Sequence, residues 1–173
     1  MKTELRMLRV LLALCALLQL TFFVLGWSGV LAPDSPVQLS PTGMSAATHA
    51  LSAQQRIAGA VIGLPVLLTL FYALWRLWCA LRAIQSDALF GVATIAHVRA
   101  FAGAALASTL LAIAETPLRT LAYRLIEGVP GHTISIGVTN DQLLLILVCA
   151  LFYLVIRLMH AARRLAEENE GFV

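Results

Sequence analysis

Four stretches of this chain run without a charged residue for most or all of the width of a lipid bilayer. They are Val10–Pro33, Ile57–Trp75, Ala100–Ala114 and Gln142–Ile156. A bilayer core of roughly 30 Å is crossed by a helix of about 20 apolar residues. The first two runs meet that length directly. The third is extended by Glu115-Thr116-Pro117-Leu118-Arg119, and the fourth reaches it if Arg157 snorkels to the interface. Backbone polar groups in lipid must be satisfied within the segment, which leaves helices as the solution for such runs. Composition agrees: 60% of the residues are apolar and only 12% are charged, about half the charge of a soluble domain. A soluble globular domain and a disordered chain are both excluded.

The expected fold is an all-α membrane protein forming one domain over residues 1–173. Its spans lie near 8–30, 57–80, 99–125 and 140–161, followed by a helical tail over 162–173. Basic residues orient it. With the N-terminus in the cytoplasm, Lys2, Arg6, Arg9, Arg76, Arg82, Arg99, Arg157, Arg163 and Arg164 fall inside, and Arg56, Arg119 and Arg124 fall outside. Both termini are therefore expected in the cytoplasm. The net charge of +3 then belongs beside anionic headgroups, not on nucleic acid. The first apolar run has full span length, so it is read as an anchor and not as a cleaved signal peptide. Cys15, Cys79 and Cys149 all fall in or at helices, away from the outer loops, and are read as packing residues.

The two outer loops, Leu31–Arg56 and Gly128–Asp141, invite a further expectation. Thr133-Ile134-Ser135-Ile136-Gly137-Val138-Thr139 alternates polar and apolar residues, the period of a strand. Its expected partner is Pro36-Val37-Gln38-Leu39-Ser40, giving a small extracytoplasmic β-sheet on the four-helix bundle. In the inner loop, Phe90, Ile95 and Val98, flanked by Arg82 and Arg99, read as a short segment lying on the membrane surface. Phe71-Tyr72 with Arg76 and Phe152-Tyr153 with Arg157 give the second and fourth helices similar ends, as a parallel repeat would.

Thr133-Ile134-Ser135-Ile136, Asp141-Gln142-Leu143-Leu144 and the ending Leu165-Ala166-Glu167-Glu168-Asn169 through Phe172-Val173 resemble a bacterial four-helix membrane family, domain of unknown function 2975. Phe90 and Val98-Arg99 match that family's inner loop. The chain departs from it where Asp87-Ala88-Leu89 lacks the usual Gly and where Gly91 replaces the usual Ser or Thr cap. The resemblance implies the fold and a location in the bacterial cytoplasmic (inner) membrane. It brings no activity, and because members resemble products encoded beside small helix-turn-helix regulators, it implies a regulatory role.

Glu115 and Arg119 are the sharpest candidates for chemistry. They share a helix face at i,i+4, and Glu115 lies about 24 Å along the third helix from Arg99. An ionisable residue at that depth is costly and marks function by default; a self-neutralising pair is the other reading. His49 and His132 fall outside, His97 and His160 inside, and no span interior holds a histidine, so neither a haem nor a metal site is expected. No nucleophile triad, phosphate loop or zinc spacing is present, so no cofactor is expected and a non-enzyme is.

In the tail, Arg163–Glu167 and Arg164–Glu168 are i,i+4 pairs that favour a helix running to about Glu170. Glu167, Glu168 and Glu170 sit at the negative end of the helix dipole, which calls for cations nearby: Lys2, Arg6 and Arg9, or a partner. Glu167, Glu168, Asn169 and Phe172 form a candidate docking handle for a cytoplasmic regulatory protein. The expected function is sensory or regulatory; the rival is a small transporter or channel component using Glu115 and Arg119.

Overall fold

The computed structural model describes residues 2–28, 52–85, 91–127 and 138–170. They form four helices: α1 (Lys2–Ser28), α2 (Ala53–Gln85), α3 (Val92–Glu127) and α4 (Asn140–Glu170). All four are long and apolar enough to cross a membrane. Each packs chiefly on its neighbour in the chain, with α2 against α3 the largest contact. The helices alternate in direction. Trp27 meets the α2 residue Gly59, while Arg9 meets Leu81 near the other end of α2. Ser108 of α3 lies beside Val66 of α2, and Phe101 of α3 beside Phe152 of α4. We call the end holding the start of α1 proximal and the end holding Trp27 distal.

Small residues explain the closeness of α2 and α3. Ala73 and Ala80 of α2 are fully buried, and Ala104 of α3 is buried. In lipid, helices associate through van der Waals contact and interhelical hydrogen bonds, so small side chains that let backbones approach are favoured. Ser108 uses that proximity: its hydroxyl donates to the Val66 carbonyl at 3.3 Å. On the α3–α4 side, Ile95 and Ala102 pack against Ile156, with Val98, Phe152 and Met159 around them. These positions recur every three or four residues on both helices, as one helical stripe against another requires. Elsewhere the helices expose large apolar side chains, Leu17, Val61, Leu147 and Leu154 among them. Lipid tails, not water, suit such a surface.

Two helix starts correct the loop reading. Thr139 accepts at its hydroxyl from the Gln142 amide (3.3 Å), and the Gln142 side-chain oxygen accepts from the Thr139 amide (2.9 Å). Ser52 and Gln55 make the same reciprocal pair at the start of α2, at 3.3 and 2.8 Å. Each is a capping box, which satisfies two orphan donors of a helix's first turn. The expected β-sheet is overturned: every element among the described residues is a helix, and none is a strand. Thr139, placed at the end of a strand by the alternation, instead caps α4, and Val138 beside it is non-helical coil. Residues 133–137 and 36–40 lie outside the described residues.

The inner-loop reading is corrected too. Ile95 and Val98 belong to α3, and Ile95 is only 2% exposed in the α3–α4 core. They are the first turns of a spanning helix, not a surface segment. Gly91 stands just before α3, and its carbonyl accepts from the Ile95 amide at 3.1 Å, so the helix starts without a side-chain cap, which Gly tolerates at that position. α4 runs unbroken to Glu170.

Candidate functional site

Charge inside a membrane demands a partner, and the distal end of the bundle shows how Glu115 finds one. Its carboxylate lies 3.5 Å from Nε of Arg119, one turn on, and both side chains are all but closed to the surroundings, at 3% and 4% exposed. Arg119 also sets its guanidinium over the Trp27 ring, 5.7 Å from the centroid. The electron-rich ring face attracts the cation, most strongly where water is excluded. Trp27 belongs to α1, so this contact joins the first helix to the third. Pro117 sits between the charged pair, and α3 continues through it; a proline in a membrane helix is tolerated when neighbouring groups satisfy the carbonyl it frees.

Two glycines of α2 make room for this cluster. A methyl group at Gly59 would overlap the Trp27 ring and stand 2.6 Å from the Tyr123 hydroxyl. At Gly63 it would stand 2.9 Å from the Glu115 carboxylate oxygen and 3.3 Å from the Phe23 ring. A side chain at Gly59 would displace the Trp27 ring, and one at Gly63 would push the Glu115 carboxylate from its place. Gly59 and Gly63 are four residues apart and share a face. They form a notch in α2 that receives α1 from one side and α3 from the other. Charge pair, indole and notch thus form a single three-helix junction.

The remaining donors at this end are less well served. The Trp27 indole nitrogen, Arg56 Nε and Arg124 Nε are buried with no hydrogen-bond acceptor among the described residues. The mid-depth hydroxyls, by contrast, turn back on backbone. Thr69 donates to Pro65 and Thr109 to Ala105, each one turn back on its own helix, and Ser108 donates across to Val66. None of the three adds a polar step to a path through the bundle.

The other candidates lie apart. Arg99 is exposed on α3. Glu168 pairs with Arg164 at 3.0 Å on the exposed face of the tail. The side chains of Glu167 and Asn169, and the residues Phe90 and Phe172, lie outside the described residues. Arg9, one of the cations expected near the tail, reaches α2, where its Nη2 donates to the Leu81 carbonyl at 3.3 Å. The cysteines are free thiols, Cys149 buried and Cys15 exposed. No group of three metal-ligating side chains assembles among the described residues.

Sequence reasoning found Glu115 and Arg119 but missed Trp27, Tyr123, Gly59 and Gly63. One signal was present: Gly59-Ala60-Val61-Ile62-Gly63 is a Gly-x-x-x-Gly pattern within an apolar span, the mark of close helix approach. Residues 41–171 match a family described as a protein of unknown function, DUF2975. No curated protein and no solved structure matches the chain.

Proposed function

The chain belongs to the DUF2975 family, whose description assigns no activity, and from its own residues we propose a small, non-enzymatic membrane regulator. The observation that carries the reading is the buried Glu115–Arg119 pair locked against Trp27 in the α2 notch. A charged pair at a junction of three helices makes their packing depend on its charge state. Neutralising or displacing either partner leaves a buried charge and favours a different arrangement of α1 against α3. α4 packs on α3, so a shift of α3 carries α4 and its helical tail with it.

In this reading both termini are cytoplasmic, the membrane is the bacterial inner one, and the distal junction faces outward as the sensor. The buried donors without acceptors at Trp27, Arg56 and Arg124 fit a stimulus that brings hydrogen-bond acceptors, such as an anionic ligand. The tail, with Glu167, Glu168, Asn169 and Phe172, is the surface that meets a cytoplasmic protein. The transport reading would need polar groups in continuous sequence across the bundle, whereas Thr69, Ser108 and Thr109 are turned onto backbone carbonyls.

Two measurements test this together. A photo-crosslinking residue at Phe172, activated in native membranes, should capture one cytoplasmic protein, with a yield that changes in Glu115→Gln. Reconstituted vesicles should pass protons no faster than empty ones. Proton flux that is present in the wild type and lost in Glu115→Gln would replace the regulator with a transporter.

A further inference from the structure

At the proximal end, α1 and α2 part to leave a groove of about 400 Å³, within the range of small-ligand sites. Its walls are apolar: Leu12, Ala13 and Ala16 on α1, and Phe71, Leu74 and Trp78 on α2. Ala13 and Ala16 present only methyl groups to it. Arg82 lines its mouth. The guanidinium of Arg82 lies 5.9 Å from the Trp78 ring centroid, and that of Arg9 lies 5.7 Å from the same centroid.

Two cations from different helices therefore lie within 6 Å of the centre of one indole, and that indole lines the apolar groove. An anionic group beside that indole would be attracted by both charges. Arg82 is exposed, and no carboxylate pairs with it among the described residues. Tryptophan and arginine are both suited to the headgroup level of a bilayer. Basic pockets between spanning helices accept anionic headgroups by this chemistry.

We propose that this groove binds one anionic phospholipid, its phosphate held by Arg9 and Arg82 and one acyl chain lying between Ala13, Ala16 and Leu74. The site is separate from the distal junction and does not depend on its role. The phosphate receives charge-assisted hydrogen bonds from the guanidinium groups. The chain fills a cleft that α1 and α2 alone leave open, so the lipid ties the first helix to the second at the end opposite Trp27.

Native mass spectrometry of the delipidated full chain in a neutral detergent tests this, with phosphatidylglycerol and phosphatidylcholine as probes. One phosphatidylglycerol should be retained at least tenfold more tightly than phosphatidylcholine. Arg82→Gln, an exposed position, should weaken that binding tenfold or more while leaving the helical content and melting temperature unchanged. Ala16→Leu should weaken it similarly by filling the groove with no change of charge. Arg99→Gln, an exposed cation on α3, should have no effect. Equal retention of the two lipids, or an equal loss on Arg99→Gln, would reduce the site to general surface charge and overturn the proposal. Full binding in Ala16→Leu would remove the acyl chain from it, and a lipid-insensitive dimer would assign the groove to a second copy of the chain.

Discussion

Replacing Glu115 by Gln and Arg119 by Met, singly and together, addresses the distal junction through its energetics. The charges are separated by 3.5 Å. At an effective dielectric of about 20, that distance corresponds to an attraction of about 5 kcal/mol. Removing one partner of a buried pair typically costs about 3–5 kcal/mol, because the other charge is left uncompensated. The two single changes are not equivalent here. Glu115→Gln leaves Arg119 over the Trp27 ring, a contact that offsets about 2 kcal/mol where water is excluded. Arg119→Met leaves a carboxylate against Gly63 and Phe23, with nothing comparable. Arg119→Met should therefore be the more destabilising by about 1–2 kcal/mol, and the double variant should recover about 2–3 kcal/mol relative to additivity. Reversible unfolding in mixed micelles, followed by tryptophan fluorescence and circular dichroism, measures all four proteins. Single variants within about 0.5 kcal/mol of the wild type, the usual range for surface substitutions, would refute the reasoning.

Gly59→Ala and Gly63→Ala should each lower stability by about 1–3 kcal/mol through overpacking, and Gly103→Ala by less, because there a methyl would meet only the Tyr153 hydroxyl, at 3.3 Å; thermal melts in detergent compare the three. Ser52→Ala and Thr139→Ala should each cost about 1 kcal/mol by removing a cap, seen as faster amide exchange confined to the first turns of α2 and α4. Reporter fusions after Ala83 and Val173 should read cytoplasmic and one at Gly43 outside; an outside signal at Val173 would overturn the four-span count.

How far the sequence could be read follows from what each residue's neighbours are. The four helices were legible because an uncharged run of span length has one structural solution in lipid. The Glu115–Arg119 contact was legible because i,i+4 residues meet within one helix, whatever surrounds it. Trp27 was not, since the run Val10–Pro33 is apolar on every side and its pattern does not say which face meets a neighbour. The alternation from Thr133 to Thr139 misled because it could not show that Thr139 is committed to Gln142. The Thr-x-x-Gln spacing carried that information, and so did Ser52-x-x-Gln55. Ile95 and Val98 suited a surface segment when taken alone; only their register with Ile156 and Met159 reveals a core stripe. Charge alone places Arg9 near the tail and says nothing of Leu81 and Trp78, which only the packing of α1 on α2 brings within its reach.

The claim that the distal junction governs the far end of the molecule can be measured as a distance. Spin labels at Met7 on α1 and Leu165 on α4, both exposed, report the separation of the proximal ends by electron–electron resonance in nanodiscs. Neither label touches the junction. The account predicts that Glu115→Gln shifts or broadens this distance relative to the wild type, and that Arg99→Gln leaves it unchanged. An identical distribution in Glu115→Gln and wild type, in protein that remains folded, would contradict it.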